Sequence, residues 1–186
     1  MKRLLDLVLA ITAALLLSPI IVLTAVAVRL TSRGPALYWS DRVGRDNAIF
    51  CMPKFRSMRR DTPVVATHML AEPSTYLTPI GSFLRKSSLD ELPQLWSILA
   101  GDMSFVGPRP ALFNQDDLIG QRTVAGVHVL TPGLTGWAQI NGRDELPIPE
   151  KVALDVAYLQ RRSIVFDLKI LCLTVLKVLR ADGVSH

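Results

Sequence analysis

Apolar and polar positions separate most sharply at the start of the chain. Leu7 to Val28 carries no charge and is long enough to cross a bilayer as a helix, which takes roughly 20 residues. Ala25-Val26-Ala27 has the form of a signal cleavage site, but the run is too long for a signal peptide and Asp6 interrupts its basic leader. A single span is the ordinary reading of such a run. A third reading is a helix that enters one leaflet, bends and returns to the same side. Ser18-Pro19 lies near the middle, where Pro19 cannot donate to the Leu15 carbonyl and Ser18 can bond back to the Ala14 carbonyl. Lys2 and Arg3 precede the run, and Arg29, Arg33, Arg42 and Arg45 follow it. Positive charge on both flanks fits a hairpin with both ends at the cytoplasmic face, so the bent, non-spanning form is expected.

Beyond this run the pattern alternates between short strands and helices. Ser32-Arg33-Gly34-Pro35 reads as an exit turn. Ala36 to Val43, a turn at Gly44-Arg45-Asp46-Asn47, and Ala48 to Phe55 read as a β-hairpin. Lys54 and Arg56 then share one face of a strand, as a solvated edge or as a phosphate clamp. Asp61 to Thr78 reads as a loop with one short helix, and Ile80 to Lys86 as a helix. Leu92, Leu95, Trp96 and Leu99 have the spacing of one buried helix face, with Gly101 placed to end it.

Ala111 to Gly120 reads as a short helix and Thr123 to Leu130 as β-prone. In Pro132-Gly133-Leu134-Thr135-Gly136-Trp137 the glycines allow close backbone approach to a ligand and Trp137 offers a flat face. A tight loop packed by one tryptophan accounts for the same spacing. Pro149 to Arg162 reads as a helix with Asp155 and Tyr158 on one face. Ser163 to Arg180, apolar over most of its turn, suits a helix in the membrane interface. The expected fold is α+β: residues 1–33 form a re-entrant membrane helix, and residues 34–186 form a cytoplasmic catalytic domain. That domain combines a small β-hairpin with amphipathic interfacial helices.

A net charge of +5, a pI near 9.6 and a positive mean hydropathy point to a phospholipid membrane surface and phosphate ligands. Nucleic acid is disfavoured, because the basic residues are spread out and aromatics to stack bases are few. Cys51 and Cys172 lie far apart, which is neither a disulfide framework nor a zinc site. His68, His128 and His186 have no ligand spacing, so a metal would be hard and oxygen-bound.

Asp90-Glu91 stands between Arg85-Lys86 and Pro108-Arg109-Pro110. Ser88 and Glu91 could form a capping box, but that register puts Pro93 beyond the first turn. Asp90 as N-cap puts Pro93 within it, and this is the favoured register. In either case the helix dipole favours the ionised carboxylates. A simple cap and a pair serving a phosphate and a divalent metal account for these residues about equally well.

Several blocks, in order, resemble the small monotopic phosphoglycosyl transferases, also called bacterial sugar transferases. They are Lys2-Arg3-Leu4-Leu5-Asp6 with Ser18-Pro19; Lys54-Phe55-Arg56-Ser57-Met58; the run from Arg85 to Leu95; Pro108-Arg109-Pro110; Pro132 to Trp137; Asp155-Val156-Ala157-Tyr158; and Asp167-Leu168-Lys169. Singly most are weak, but together they cover nearly the whole chain. The resemblance implies a catalytic unit without the extra N-terminal membrane bundle of larger members, on the cytoplasmic face of the bacterial inner membrane.

It further implies transfer of a sugar phosphate from a nucleoside diphosphate sugar, usually a UDP-sugar, to undecaprenyl phosphate. By this resemblance Asp90 is the nucleophile, and Glu91, with Asp90, holds Mg2+. Arg85 meets the polyprenyl phosphate, Lys54 meets a further phosphate, and Arg109 meets the nucleotide or its phosphates; Arg56, beside Lys54, is expected in the same substrate site. Asp155, Trp137 and Arg143 complete the expected substrate site. Two alternatives are a single-step transfer with Asp90 as general base and a non-catalytic scaffold binding lipid phosphate. Homodimerisation is left open.

Overall fold

A computed structural model of the chain describes residues 1–65, 72–142 and 146–180; His68, Arg143 and His186 lie outside the described residues. The fold mixes helices with two small sheets. Helix α1 runs from Lys2 to Thr31 with Pro19 inside it, and is long and apolar enough to cross a membrane. The Ser18 hydroxyl donates to the Leu15 carbonyl at 2.9 Å, not to that of Ala14. The reason is local: Leu15 is the carbonyl that the missing N–H of Pro19 leaves unserved. One stripe of α1 packs on the rest of the chain through Asp6, Ala10, Thr24 and Val28. Leu15, Leu16, Leu23 and Leu30 are exposed.

Both ends of α1 are tied to the same body. At the start, Lys2 Nζ meets Asp167 Oδ2 at 2.6 Å. Arg3 donates to the Ile98 and Leu99 carbonyls. Buried Asp6 accepts from Ser104 Oγ and the Phe105 N–H, each at 3.0 Å. At the far end Val28 packs with Phe55 and Leu84.

Strands β1 (Leu37–Val43) and β2 (Ile49–Phe55) pair antiparallel, with Tyr38 opposite Lys54, as the hairpin pattern predicts. Their turn places Asp46 and Asn47 at positive φ, where Asn and Asp are tolerated. A 3-10 turn at Pro73–Tyr76 and helix α2 (Gly81–Lys86) follow. Next come a 3-10 turn over Leu89–Gln94 and helix α3 (Leu95–Ala100). Gly101 ends α3 at φ 106, the left-handed cap expected of it.

Strand β3 (Ser104–Val106) pairs in parallel with β4 (Gly133–Thr135), a pairing without a sequence signal at three residues each. A Cβ on Gly133 would sit inside contact distance of Gly107 N and Thr135 O. Gly133→Ala is therefore expected to destabilise the protein by about 2 kcal/mol or more, because the obstacles are backbone atoms that cannot rotate away. A thermal melt unchanged from wild type would refute this.

Two expectations fail between β3 and β4. The helix expected over Ala111–Gly120 is instead α4, Asp116–Val124. Ala111 and Leu112 extend the edge of β1, with the Val43 N–H donating to the Ala111 carbonyl at 2.9 Å and Arg42 bridged to Leu112. The β-prone Thr123–Leu130 forms no strand; α4 ends there, Gly126 adopts φ 73, and a 3-10 turn buries Val127. Packing overrides the β preference of the valines.

Helices α5 (Trp137–Ile140), α6 (Ile148–Arg161) and α7 (Ile164–Arg180) close the chain. Asp155 and Tyr158 are both buried on α6, as their spacing requires. Tyr158 and Ile170 join Val106, Val127, Leu130 and Ile140 in one core cluster. A second cluster lies beneath α1, from Ala10, Met52, Leu95, Ile98 and Met103.

Candidate active site

The 3-10 turn after α2 starts from Ser88, held at φ 55. Positive φ is strained for serine and tends to persist only where surrounding structure enforces it. The turn has no side-chain cap, and α3 begins only at Leu95. Neither expected capping register is formed: Asp90 is the second residue of a 3-10 turn, not the N-cap of the α-helix. Pro93 is accommodated because the short 3-10 turn takes it inside, before the α-helix starts.

This geometry reverses the expected electrostatics at Asp90, which is 8% exposed. Burial pushes its carboxyl up to about 6, against the pull of Lys54, while Glu91 adds to the rise. The neighbouring carboxylate behaves oppositely. Burial pushes Glu91 up, but Lys54 and Arg109 outweigh it and hold the group well below the usual carboxylate range. Glu91 Oε1 receives Lys54 Nζ at 3.0 Å and Arg109 Nη2 at 2.9 Å. Adjacent acids are thus separated in character, one fixed as an anion and one poised near neutrality.

Lys54 comes from β2, which packs on the 3-10 turn. Its ammonium is lowered by burial, partly restored by Glu91 and lowered again by Arg109. Arg85, at the end of α2, reaches Met58 Sδ at 3.7 Å and lies close enough to Asp90 to draw its carboxyl down. Lys54, Arg85, Asp90, Glu91 and Arg109, remote in sequence, are therefore brought together.

Arg56, Trp137 and Asp155 are placed elsewhere. Arg56 does not join Lys54 on a common face of the cluster. It lies just past β2, and its guanidinium donates to the Arg33 carbonyl and to the carbonyl and hydroxyl of Ser32, at 2.7, 3.0 and 2.8 Å. Trp137 packs on Phe166 with ring centroids 5.1 Å apart. Asp155 is held in a buried ion pair, its Oδ2 accepting from Arg122 Nε at 2.9 Å and Nη2 at 2.7 Å. Arg143 lies outside the described residues.

Two arginines that sequence reasoning passed over support the site from behind. Arg122 Nη1 donates to the Arg109 carbonyl at 2.7 Å. Arg42 Nη1 donates to the Pro110 carbonyl at 3.2 Å and Arg42 Nε to Ser40 Oγ at 3.0 Å. Successive carbonyls of Pro108-Arg109-Pro110 are thereby clamped, which aims the Arg109 side chain at Glu91. Asp155 acts on the site through Arg122. No sequence spacing links these residues; the only available cue was that Arg122 falls on the apolar side of its helix.

Among the described residues no three His, Cys, Asp or Glu side chains are gathered for a metal. Two adjacent carboxylates fit Mg2+ in another way, since that ion commonly binds one or two carboxylates and completes its shell with substrate phosphates and water.

Comparison with known proteins identifies the family of the chain. The family model for bacterial sugar transferases matches residues 1–181. The chain is 42% identical over 186 residues to the uncharacterized sugar transferase EpsL of Bacillus subtilis (strain 168), covering 100% of this chain and 91% of that protein. It is 41% identical to the UDP-glucose:undecaprenyl-phosphate glucose-1-phosphate transferase of Escherichia coli (strain K12), over 95% of this chain but 40% of that protein. Identity is 40% to the Caulobacter vibrioides protein of the same name, over 98% of this chain and 71% of that protein. The chain thus spans less than half of the Escherichia coli relative and most of the other two. On a family match over nearly its full length, the chain belongs to the bacterial sugar transferases.

Proposed function

We propose that the protein transfers a sugar 1-phosphate from a UDP-sugar to undecaprenyl phosphate in two steps through Asp90. The observation that supports this best is the buried Asp90 carboxyl beside a Glu91 already neutralised by Lys54 and Arg109. The names of the Escherichia coli and Caulobacter relatives supply the donor and acceptor class.

In the first step an Asp90 carboxylate oxygen bonds to the sugar-bearing phosphorus, and the bond from that phosphorus to the bridging oxygen breaks. UMP leaves with the electron pair. In the second step an oxygen of the polyprenyl phosphate attacks the same phosphorus, and Asp90 departs as carboxylate. One site can then serve two bulky substrates in turn. A carboxylate needs no base, but it must approach an anionic diphosphate. Lys54, Arg85 and Arg109 offset that repulsion. Mg2+ held by Glu91 and Asp90 together with diphosphate oxygens would add Lewis-acid stabilisation of the leaving phosphate.

The contacts of α1 support a proposed membrane placement. A straight helix of this length measures about 45 Å, yet Lys2, Arg3 and Asp6 at one end and Val28 at the other all bond to or pack on one body. That arrangement favours a helix entering and leaving on the cytoplasmic face of the inner membrane, with its bend at Ser18-Pro19, over a span.

The test is incubation of purified protein with labelled UDP-glucose and other UDP-sugars, without lipid acceptor. Labelled protein and one equivalent of UMP are expected. With nucleophilic Asp90 titrating near 6, the rate of this half-reaction should fall about tenfold per pH unit below that value. Asp90 raised in this way would also suit a general base in a single-step transfer. That alternative predicts the same pH profile but no labelled protein and no UMP until acceptor is added.

A further inference from the structure

The two ends of α1 use their cations differently. At the start, Lys2 is neutralised by Asp167 and Arg3 is engaged by carbonyls. At the far end Arg29, Arg33, Arg56 and Arg60 gather around the turn Ser32-Arg33-Gly34. Arg56, only 5% exposed, holds the Ser32 and Arg33 carbonyls, and Arg29 Nη1 donates to the Gly34 carbonyl at 2.7 Å. The same glycine abuts both the Arg56 guanidinium and the Arg60 side chain, whose Cδ would lie 3.3 Å from an added Cβ.

Among the described residues, none of these four arginines forms an ion pair with a carboxylate. The nearby Asp61 is taken by Arg59 at 2.6 Å. Burial first, and then the charges of Arg60 and Arg29, lower the Arg56 guanidinium below its ordinary value. Arg29, Arg33 and Arg60 are exposed around buried Arg56, so four like charges at one turn offer a surface that an anion would stabilise further.

The surroundings indicate which anion. Leu30, beside these arginines in sequence, is 82% exposed, and α2, packed on the same end of α1 through Leu84 and Val28, presents Phe83 at 64% exposure. Bare apolar side chains next to guanidinium groups suit the boundary between acyl chains and head groups.

We propose that this arginine cluster binds the phosphodiester head groups of anionic phospholipids where α1 leaves the bilayer. Guanidinium groups match phosphate oxygens in pairs, and Arg56 and Arg29 hold the turn in shape before any lipid arrives. The inference rests on the reading of α1 as membrane-embedded, but not on sugar transfer.

The test uses the full chain in neutral detergent, titrated with phosphatidylglycerol, phosphatidylcholine or inorganic phosphate while its melting temperature is followed; a ligand of the folded state raises it. Phosphatidylglycerol alone should raise the melting temperature of wild type. Arg33→Gln and Arg60→Gln should each raise the phosphatidylglycerol concentration needed for that response about fivefold, and together about 25-fold, from the usual contribution of one basic residue at a membrane surface. Wild type and double variant should show the same KM for undecaprenyl phosphate in lipid-free detergent. Equal responses to phosphatidylcholine or to inorganic phosphate would overturn the assignment. So would an unchanged phosphatidylglycerol response in the double variant. A raised KM for undecaprenyl phosphate would reassign the cluster to the acceptor.

Discussion

Asp90→Asn is expected to lower transfer by at least about 10⁴-fold, as loss of an enzymatic nucleophile does, while making the folded protein more stable at neutral pH. The two effects have one cause. Burial holds Asp90 near 6 against an ordinary value of 3.8, so the fold favours the protonated form and the ionised form costs stability. For a carboxyl raised on folding, the stabilising contribution is present below the unfolded value and is lost as pH rises through the folded one.

At pH 7 the cost is therefore nearly complete, up to about 3 kcal/mol at 1.36 kcal/mol per unit. Asparagine, of the same shape and uncharged, removes it. The variant should melt about 6–12 °C higher than wild type at pH 7, given roughly 2–4 °C per kcal/mol for a chain of this size. The difference should close as pH falls from 7 to 4, because wild type regains stability by protonating. Melts in detergent across that range decide the matter. A variant no more stable at pH 7, or a difference independent of pH, would show that the carboxylate is not held at a cost.

Arg122→Ala should produce the largest loss of stability among the site variants. Arg122 and Asp155 have side chains only 9% and 2% exposed and meet at 2.7 Å. Removing one partner leaves a buried charge uncompensated, at a cost of about 3–5 kcal/mol; the expected fall in melting temperature is about 10 °C. Replacing both, as Arg122→Met with Asp155→Leu, should recover most of this, because two apolar side chains of similar volume need no partner.

Activity should not recover with stability. The Arg109 carbonyl would lose its donor, and Arg109 its aim at Glu91. The double variant should keep a raised KM for the nucleotide sugar with a smaller change in kcat, and this separates positioning from simple scaffolding. Full activity in a stable double variant would remove Arg122 and Asp155 from any role in the site.

Local chemistry made much of the protein legible. Leu7–Val28, the hairpin with Gly44-Arg45-Asp46-Asn47 at its turn, Gly101 as a helix stop and the buried face of α6 each depend on neighbours a few residues away. Helix and strand periods or turn preferences suffice for them. Asp90-Glu91 was visible for the same reason, as an acidic pair framed by basic residues. The errors share the opposite property. The helix expected from Ala111 begins at Asp116 because Ala111 and Leu112 are held by the edge of β1, a partner far back in the sequence. The valines near 127 prefer a strand in isolation but find their burial in a 3-10 turn.

From the sequence alone came the family, the apolar α1, the acidic pair and the cations flanking it in sequence, because these are properties of residue order. Only the tertiary structure decided which cations reach Glu91, that Arg56 serves the exit of α1, and that Arg42 and Arg122 clamp the carbonyls beside Arg109. It also turned the shift expected of Asp90 from downward to upward. A helix dipole can be anticipated from a cap pattern, but burial is set by every element that packs around a side chain. At Asp90 burial outweighs the attraction of the surrounding cations.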